Sequence, residues 1–274
     1  MYESVGIRAQ GLGGAFTAVA DDATATWWNP AGVAAGPYFD AVAEYSKPDA
    51  TNNSRQAFAL AFPALGLSYY RLPLSEMQTF LPTGSAVSGR QDQGYLSQFG
   101  ATVGQSIGHV VLASTVKVLN ANSETHADLD LGALVTLGHL RAGVSLRNLH
   151  ETSFAANPVA FELKRQARVG VSWTATPGKV VLTAAGDADL TSVATLIGDQ
   201  QHIAGGLEAW LFKKIIGVRG GLARDTKRSL DSHSGGLSVM ALSGQYLKTY
   251  LDAQWTGGSD VLRRGWGAEL RVTF

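Results

Sequence analysis

The chain has 274 residues, no cysteine, a formal net charge of zero and 16% charged side chains, against roughly 25% in an ordinary soluble domain. The missing cysteines rule out disulfides, thiolate metal sites and cysteine nucleophiles, and the zero net charge gives no global field to draw nucleic acid or an acidic surface. No window approaches the roughly 18 uninterrupted apolar residues of a membrane helix, and no apolar leader follows Met1-Tyr2-Glu3, so an export signal is expected to lie outside this sequence.

The first element runs from Arg8 to Gly32 and is irregular. Gly11, Gly13 and Gly14 permit tight turns and close packing against another wall. Phe16 and a run of small residues follow, then the acidic pair Asp21-Asp22 and finally Trp27-Trp28-Asn29-Pro30-Ala31-Gly32. Asp21 or Asp22 is expected to cap a short helix toward Trp28, and Pro30 to stop it, because the residue before a proline resists the helical region.

From about Tyr38 the dominant period is two. Fourteen strands are predicted, over 38–46, 54–62, 65–72, 94–104, 109–119, 125–137, 139–148, 161–175, 179–190, 200–211, 215–225, 232–242, 246–256 and 262–274. In the last of them Trp266, Ala268, Leu270, Val272 and Phe274 share one face, and Glu269 and Arg271 the other. Tight connections such as Pro63-Ala64, Gly138 and Thr176-Pro177-Gly178 alternate with longer, more polar ones such as 47–53, 73–93 and 149–160. This phase, with an even strand number, predicts a transmembrane antiparallel β-barrel with both chain ends on the short-turn side. A soluble sandwich has shorter strands and no reason to keep the phase, and a propeller would show a repeat of about 40–50 residues, which is absent.

The charges support the barrel. Asp128, Asp130, Arg141, Arg147, Arg168, Asp187, Asp189, Glu208, Arg219, Lys248, Asp252, Glu269 and Arg271 all fall on the parity opposite the apolar face. Phe62, Trp173, Phe212, Tyr246 and Phe274 at one set of strand ends, with Tyr45 and Trp255 at the other, are expected to form interfacial girdles. The pairs Asp128/Asp130 and Asp187/Asp189 either hold a cation or pair with lumen arginines. Gly104-Gln105-Ser106-Ile107-Gly108 matches a nucleophile elbow but sits where a tight turn between strands is predicted. The six histidines lack recognised zinc spacing, and Ser114 with His126 completes no triad, so no enzyme, cofactor or metal is expected.

The runs Gly11-Leu12-Gly13-Gly14-Ala15-Phe16, Ala20-Asp21-Asp22-Ala23 and Asn29-Pro30-Ala31-Gly32 resemble the N-terminal signature of the FadL-type outer-membrane transporters and the related PorV/PorQ group. The resemblance covers about the first eighth of the chain. It implies that residues 1–36 fold into the lumen as a plug, or hatch, within a barrel formed by 37–274. Gly11, Gly13, Gly14, Phe16, Asp21, Asp22, Trp27, Trp28, Asn29 and Pro30 are then the candidate site residues, with the indoles either touching a greasy ligand or anchoring the plug. The FadL side implies uptake of a hydrophobic small molecule across the outer membrane of a diderm bacterium. The PorV/PorQ side implies a docking or scaffold subunit of a secretion or surface assembly. The expected partners are outer-membrane lipid and either that ligand or a protein, and no nucleic acid. The loop 73–93, with Leu74, Met77, Phe80 and Leu81, is an expected entry lip or partner surface.

Overall fold

The computed structural model describes residues 5–74, 94–121, 123–154, 161–195 and 198–274. Fourteen antiparallel strands close on themselves: β1 (Asp40–Pro48), β2 (Arg55–Phe62), β3 (Leu65–Pro73), β4 (Tyr95–Ile107), β5 (Val110–Ala121), β6 (Glu124–Leu137), β7 (Leu140–Arg147), β10 (Gln166–Ala175), β11 (Val181–Asp189), β14 (His202–Leu211), β15 (Ile216–Asp225), β16 (Leu230–Ser243), β17 (Lys248–Gly258) and β18 (Gly265–Thr273). The last strand pairs with the first, from Asp40 opposite Thr273 to Pro48 opposite Gly265. Closure leaves no sheet edge, which is what a strand-built protein in lipid requires.

Alternation decides which face is which. Leu207, Leu222, Val171, Phe99 and Leu251 lie on the outside and are more than half exposed. The chain neighbours Glu208 and Asp252 face inward and are buried, as is Arg219 beside the exposed Val218. Of the thirteen charges placed on the inner parity, Lys248 is exposed near a turn, while Arg141, Asp189 and Arg271 are half-buried and the rest buried. The aromatic girdle residues Tyr45, Phe62, Trp173, Phe212, Tyr246, Trp255 and Phe274 are all exposed.

Two loops depart from expectation. The segment anticipated over 161–175 joins the barrel only at Gln166, and 200–211 only at His202. Phe161–Glu162 (β9) instead pairs with Ser153–Phe154 (β8), and Gly198–Gln200 (β13) with Val193–Thr195 (β12). Both small hairpins stand over the long-loop end. The ring of Phe154 stacks on Phe161 at 4.6 Å, a local apolar contact that takes these residues out of the barrel ladder. Of the apolar loop 73–93, Leu74 is buried rather than displayed, and Met77, Phe80 and Leu81 lie outside the described residues.

The inner face is also not uniformly polar, as strict alternation predicted. At the long-loop ends of the adjacent strands β3, β4 and β5, Tyr70, Leu72, Leu96, Leu119 and Ala121 point inward and are buried with Leu74, Phe154 and Phe161 in one apolar cluster. The same cluster takes in Val5, Leu12, Phe16, Trp27 and Trp28 from the first element. Apolar groups turn inward here because other apolar side chains cover them, so the core of this barrel lies inside the ring.

Candidate functional site

The N-terminal element is two short helices joined by turns: α1 (Ile7–Gly11), α2 (Ala25–Trp28) and a single 3-10 turn over Pro30–Ala34. Asp22 stands before α2 but does not cap it directly. Its Oδ1 accepts the Thr24 N–H at 3.0 Å, and Thr24 is the N-cap. Asn29 is extended at φ −157°, as a residue before proline must be, and ends α2. Gly13 and Gly14 sit at φ +71° and +86°, the left-handed region that glycine enters without strain.

This segment bonds to inward side chains around the ring. Glu44 on β1 accepts Gly6 N–H at 2.6 Å and Gln10 Nε2 at 3.2 Å. Asp40, also on β1, accepts Ala23 N–H at 2.8 Å. On β11, Asp187 accepts the adjacent N–H groups of Phe16 and Thr17 at 3.0 and 2.8 Å. Arg168 on β10, Arg141 on β7 and Ser234 on β16 donate to the carbonyls of Gly14, Val19 and Gly11. Arg263, beyond β17, donates to Gly13 O at 2.8 Å. These contacts answer the accounting that irregular buried backbone demands: groups with no helix or sheet partner are met by side chains of the wall.

The wall is notched to receive the segment. A Cβ on Gly221 would stand 2.1 Å from Gly13 N, and one on Gly206 would stand 2.4 Å from Leu12 O. Farther round the ring, on β6, a Cβ on Gly132 would meet Asn29 Oδ1 at 2.2 Å. Each is closer than any real contact, so the segment and a wall side chain cannot share these places.

Electrostatically the centre is Arg8. Its Nε and Nη2 donate to both oxygens of Glu208 on β14, at 2.8 and 2.6 Å, and its Nη1 reaches Asp21 and, at 3.3 Å, Asp22. Burial pushes the Asp21 carboxyl up, but Arg8, Arg141 and Arg271 outweigh it and hold it at about 2. Glu208 also lies 3.9 Å from Arg219, which pairs with Asp252 at 2.6 Å.

The remaining predicted residues are packed. Trp28 is fully buried, donates its indole N–H to Val5 O at 2.9 Å and meets Phe16 edge to face at 5.9 Å. Trp27 lies under the Arg147 guanidinium at 3.6 Å and against Tyr70 at 5.1 Å. Asn29 Nδ2 donates to Thr17 O at 2.9 Å and to Ala133 O on β6 at 3.1 Å, and its Oδ1 accepts Ala31 N–H. Pro30 starts the 3-10 turn beside Gly132. Both indoles are packed against neighbouring aromatic side chains.

The acidic pairs divide. Asp130 binds Lys117 at 2.5 Å, with Arg147 at 3.5 Å, and Asp189 binds Arg168 at 2.6 Å. Asp128 holds the backbone N–H of His150, and Asp187 serves the segment. Sequence reasoning passed over Arg8, Glu44 and Lys117, although strand parity would have placed the last two inside. It also passed over His202, Asp225 and Asp260, whose ligand atoms lie within 4.8 Å of one another at the long-loop end. Arg228 already answers both carboxylates there, at 2.5 and 3.3 Å. Ser106 lies within β4 rather than at a strand-to-helix elbow, and His126 pairs with Leu119 while Ser114 pairs with Leu131.

The structure is similar over its whole length to the toluene transporter TodX of Pseudomonas putida, at TM-score 0.56 and 9% identity, covering 100% of this chain and 99% of that one. It is similar to a Pseudomonas aeruginosa FadL homologue at TM-score 0.55 and 9% identity, covering 98% and 97%. A TodX mutant described as a monoaromatic hydrocarbon channel gives TM-score 0.55 and 11% identity, again covering 98% and 97%. At these identities the likeness shows the fold: a fourteen-strand barrel of the bacterial outer-membrane kind. A family described as the F plasmid transfer operon TraF protein matches residues 116–189. No curated protein sequence matches the chain.

Proposed function

We propose that the protein is an outer-membrane barrel that passes a hydrophobic small molecule, with the N-terminal segment as its hatch. The observation that supports this reading is the apolar packing inside the long-loop end, where Tyr70, Leu72, Leu96 and Leu119 point inward and are buried in one cluster with Trp27 and Phe16. A pore for ions or sugars has a polar interior. An apolar one receives a greasy solute without asking it to shed hydrogen bonds. Likeness to TodX and to a FadL homologue supports the same reading. In it the molecule enters between the long loops, passes where these packed apolar side chains part, and leaves when the segment from Val5 to Gly36 shifts. The segment is suited to shifting because it is tied to the wall by side-chain contacts and not by strand pairing, so it can move without breaking the barrel ladder.

The chain's lack of cysteine gives a clean test. Gln10 and Gln254 bond side chain to side chain at 2.9 Å. Cysteines at these two positions, joined by a short bifunctional thiol reagent, would tie the segment to β17. Uptake of radiolabelled toluene into proteoliposomes should fall on crosslinking and recover when a cleavable reagent is cut. Uptake that ignores the crosslink would refute the hatch.

A second reading, a docking subunit for a surface assembly, is favoured by two observations. Connections on the long-loop side are short in places, such as 226–229 between β15 and β16, leaving little surface for an external ligand groove. Part of the chain also matches a plasmid-transfer protein family. A stoichiometric protein partner, together with a wild-type protein that carries no toluene, would favour it.

A further inference from the structure

The short-turn end of the bore holds a feature the hatch does not require. A cavity of about 560 Å³ opens there between the N-terminal segment and strands β14, β17 and β18. That is the size of a small-ligand site. Four cations line it, Arg8, Lys214, Lys248 and Arg271, against one carboxylate, Asp21. Arg8 is committed to Glu208, Asp21 and Asp22, and Arg271 to Asp40 at 2.8 Å. Among the described residues, Lys214 and Lys248 have neither an ion-pair partner nor a side-chain hydrogen bond.

The surroundings add to this surplus. The turns β10–β11, β14–β15 and β16–β17 are neighbours around the ring. They and the adjoining strand carry Lys179, Lys213, Lys214 and Lys248, while no short turn of the barrel contains an acid. Partial burial lowers the pKa of Lys214, Asp21 opposes that shift and Arg8 and Arg271 add to it, while the residue remains exposed to solvent. One wall of the cavity is apolar: Trp210 and Tyr250 meet edge to face at 5.4 Å, and both are mostly buried. Unpaired cations facing a packed aromatic wall in one cavity form an amphipathic receptor.

We propose that this cavity binds a small soluble organic anion, a phosphate or carboxylate on an apolar body, with the charge at Lys214 and Lys248 and the body against Trp210 and Tyr250. The site stands at the short-turn mouth and does not depend on whether the bore conducts. Because Arg8 and Asp21 belong to the N-terminal segment, an occupant also touches the part of the chain expected to move.

Titration calorimetry on the full chain in phosphatidylcholine nanodiscs tests this, with phenyl phosphate as the probe and inorganic phosphate and benzyl alcohol as its two halves. Phenyl phosphate should bind at least about tenfold more tightly than either half. Lys214→Gln/Lys248→Gln should weaken it by about tenfold or more, and raised salt should weaken it in the wild type. Gel migration of the unheated protein checks that the variant remains a folded barrel. Equal affinity in wild type and variant would overturn the proposal, as would benzyl alcohol binding as tightly as phenyl phosphate. Loss of binding when anionic phosphatidylglycerol is added would reassign the cavity to a lipid headgroup and overturn the soluble ligand.

Discussion

The Arg8–Glu208 pair is the test of what seats the N-terminal segment. Arg8→Met removes a guanidinium that makes two bonds to Glu208, at 2.8 and 2.6 Å, with both side chains buried. Breaking a buried pair from one side costs about 3–5 kcal/mol, because the surviving charge is left without an answer. Arg219, 3.9 Å from Glu208, compensates in part, so the low end applies. The cost falls on the seated state alone, since water would solvate Glu208 once the segment left. About 3 kcal/mol is roughly a hundredfold in the seating equilibrium. Hydrogen exchange reads this directly: amides between Ile7 and Ala20 should lose about a hundredfold in protection while the barrel strands keep theirs. Arg8→Met/Glu208→Leu should recover much of the loss, because an apolar pair of similar volume has no buried charge to answer. Unchanged protection in the single variant, or an equal loss across the strands, would refute the argument that this pair locks the segment.

Gly221→Val puts a side chain where Gly13 N stands 2.1 Å from the Cβ position, so the segment should be expelled and single-channel conductance in planar bilayers should rise, with unheated gel migration unchanged. Asn29→Ala strands the carbonyls of Thr17 and Ala133 and should cost about 1–3 kcal/mol, seen as increased proteolysis near Trp28. Asp21 is held at about 2, below its ordinary 3.8, so its contribution is present above pH 4 and lost as pH falls from about 4 to 2. Near-ultraviolet circular dichroism of the buried indoles should therefore show an acid limb in that window, which Asp21→Asn reduces. Leu207, 67% exposed on the outer face, should tolerate no charge: Leu207→Arg is expected to cost about 2–4 kcal/mol if lipid lies outside, measured by unfolding in urea from vesicles.

The sequence by itself determined the wall. Alternation along β17 and β18, the phase of short and long connections, and the parity of buried charges such as Glu208 and Asp252 are properties of neighbouring residues, and a closed sheet with one greasy face reads them out strand by strand. It also marked Gly13, Gly14, Asn29 and Pro30, whose backbone demands are local. Only the tertiary structure decided what meets across the bore. Arg8 finds Glu208 two hundred positions away, Glu44 finds Gly6, and the wall glycines 206 and 221 find Leu12 and Gly13, because ring closure brings distant strands around one short segment. The inward leucines of β3, β4 and β5 are the plainest case. Leu72, Leu96 and Leu119 sit on the inner face that elsewhere carries the charges, and only the aromatic residues packed against them inside the ring make that placement favourable.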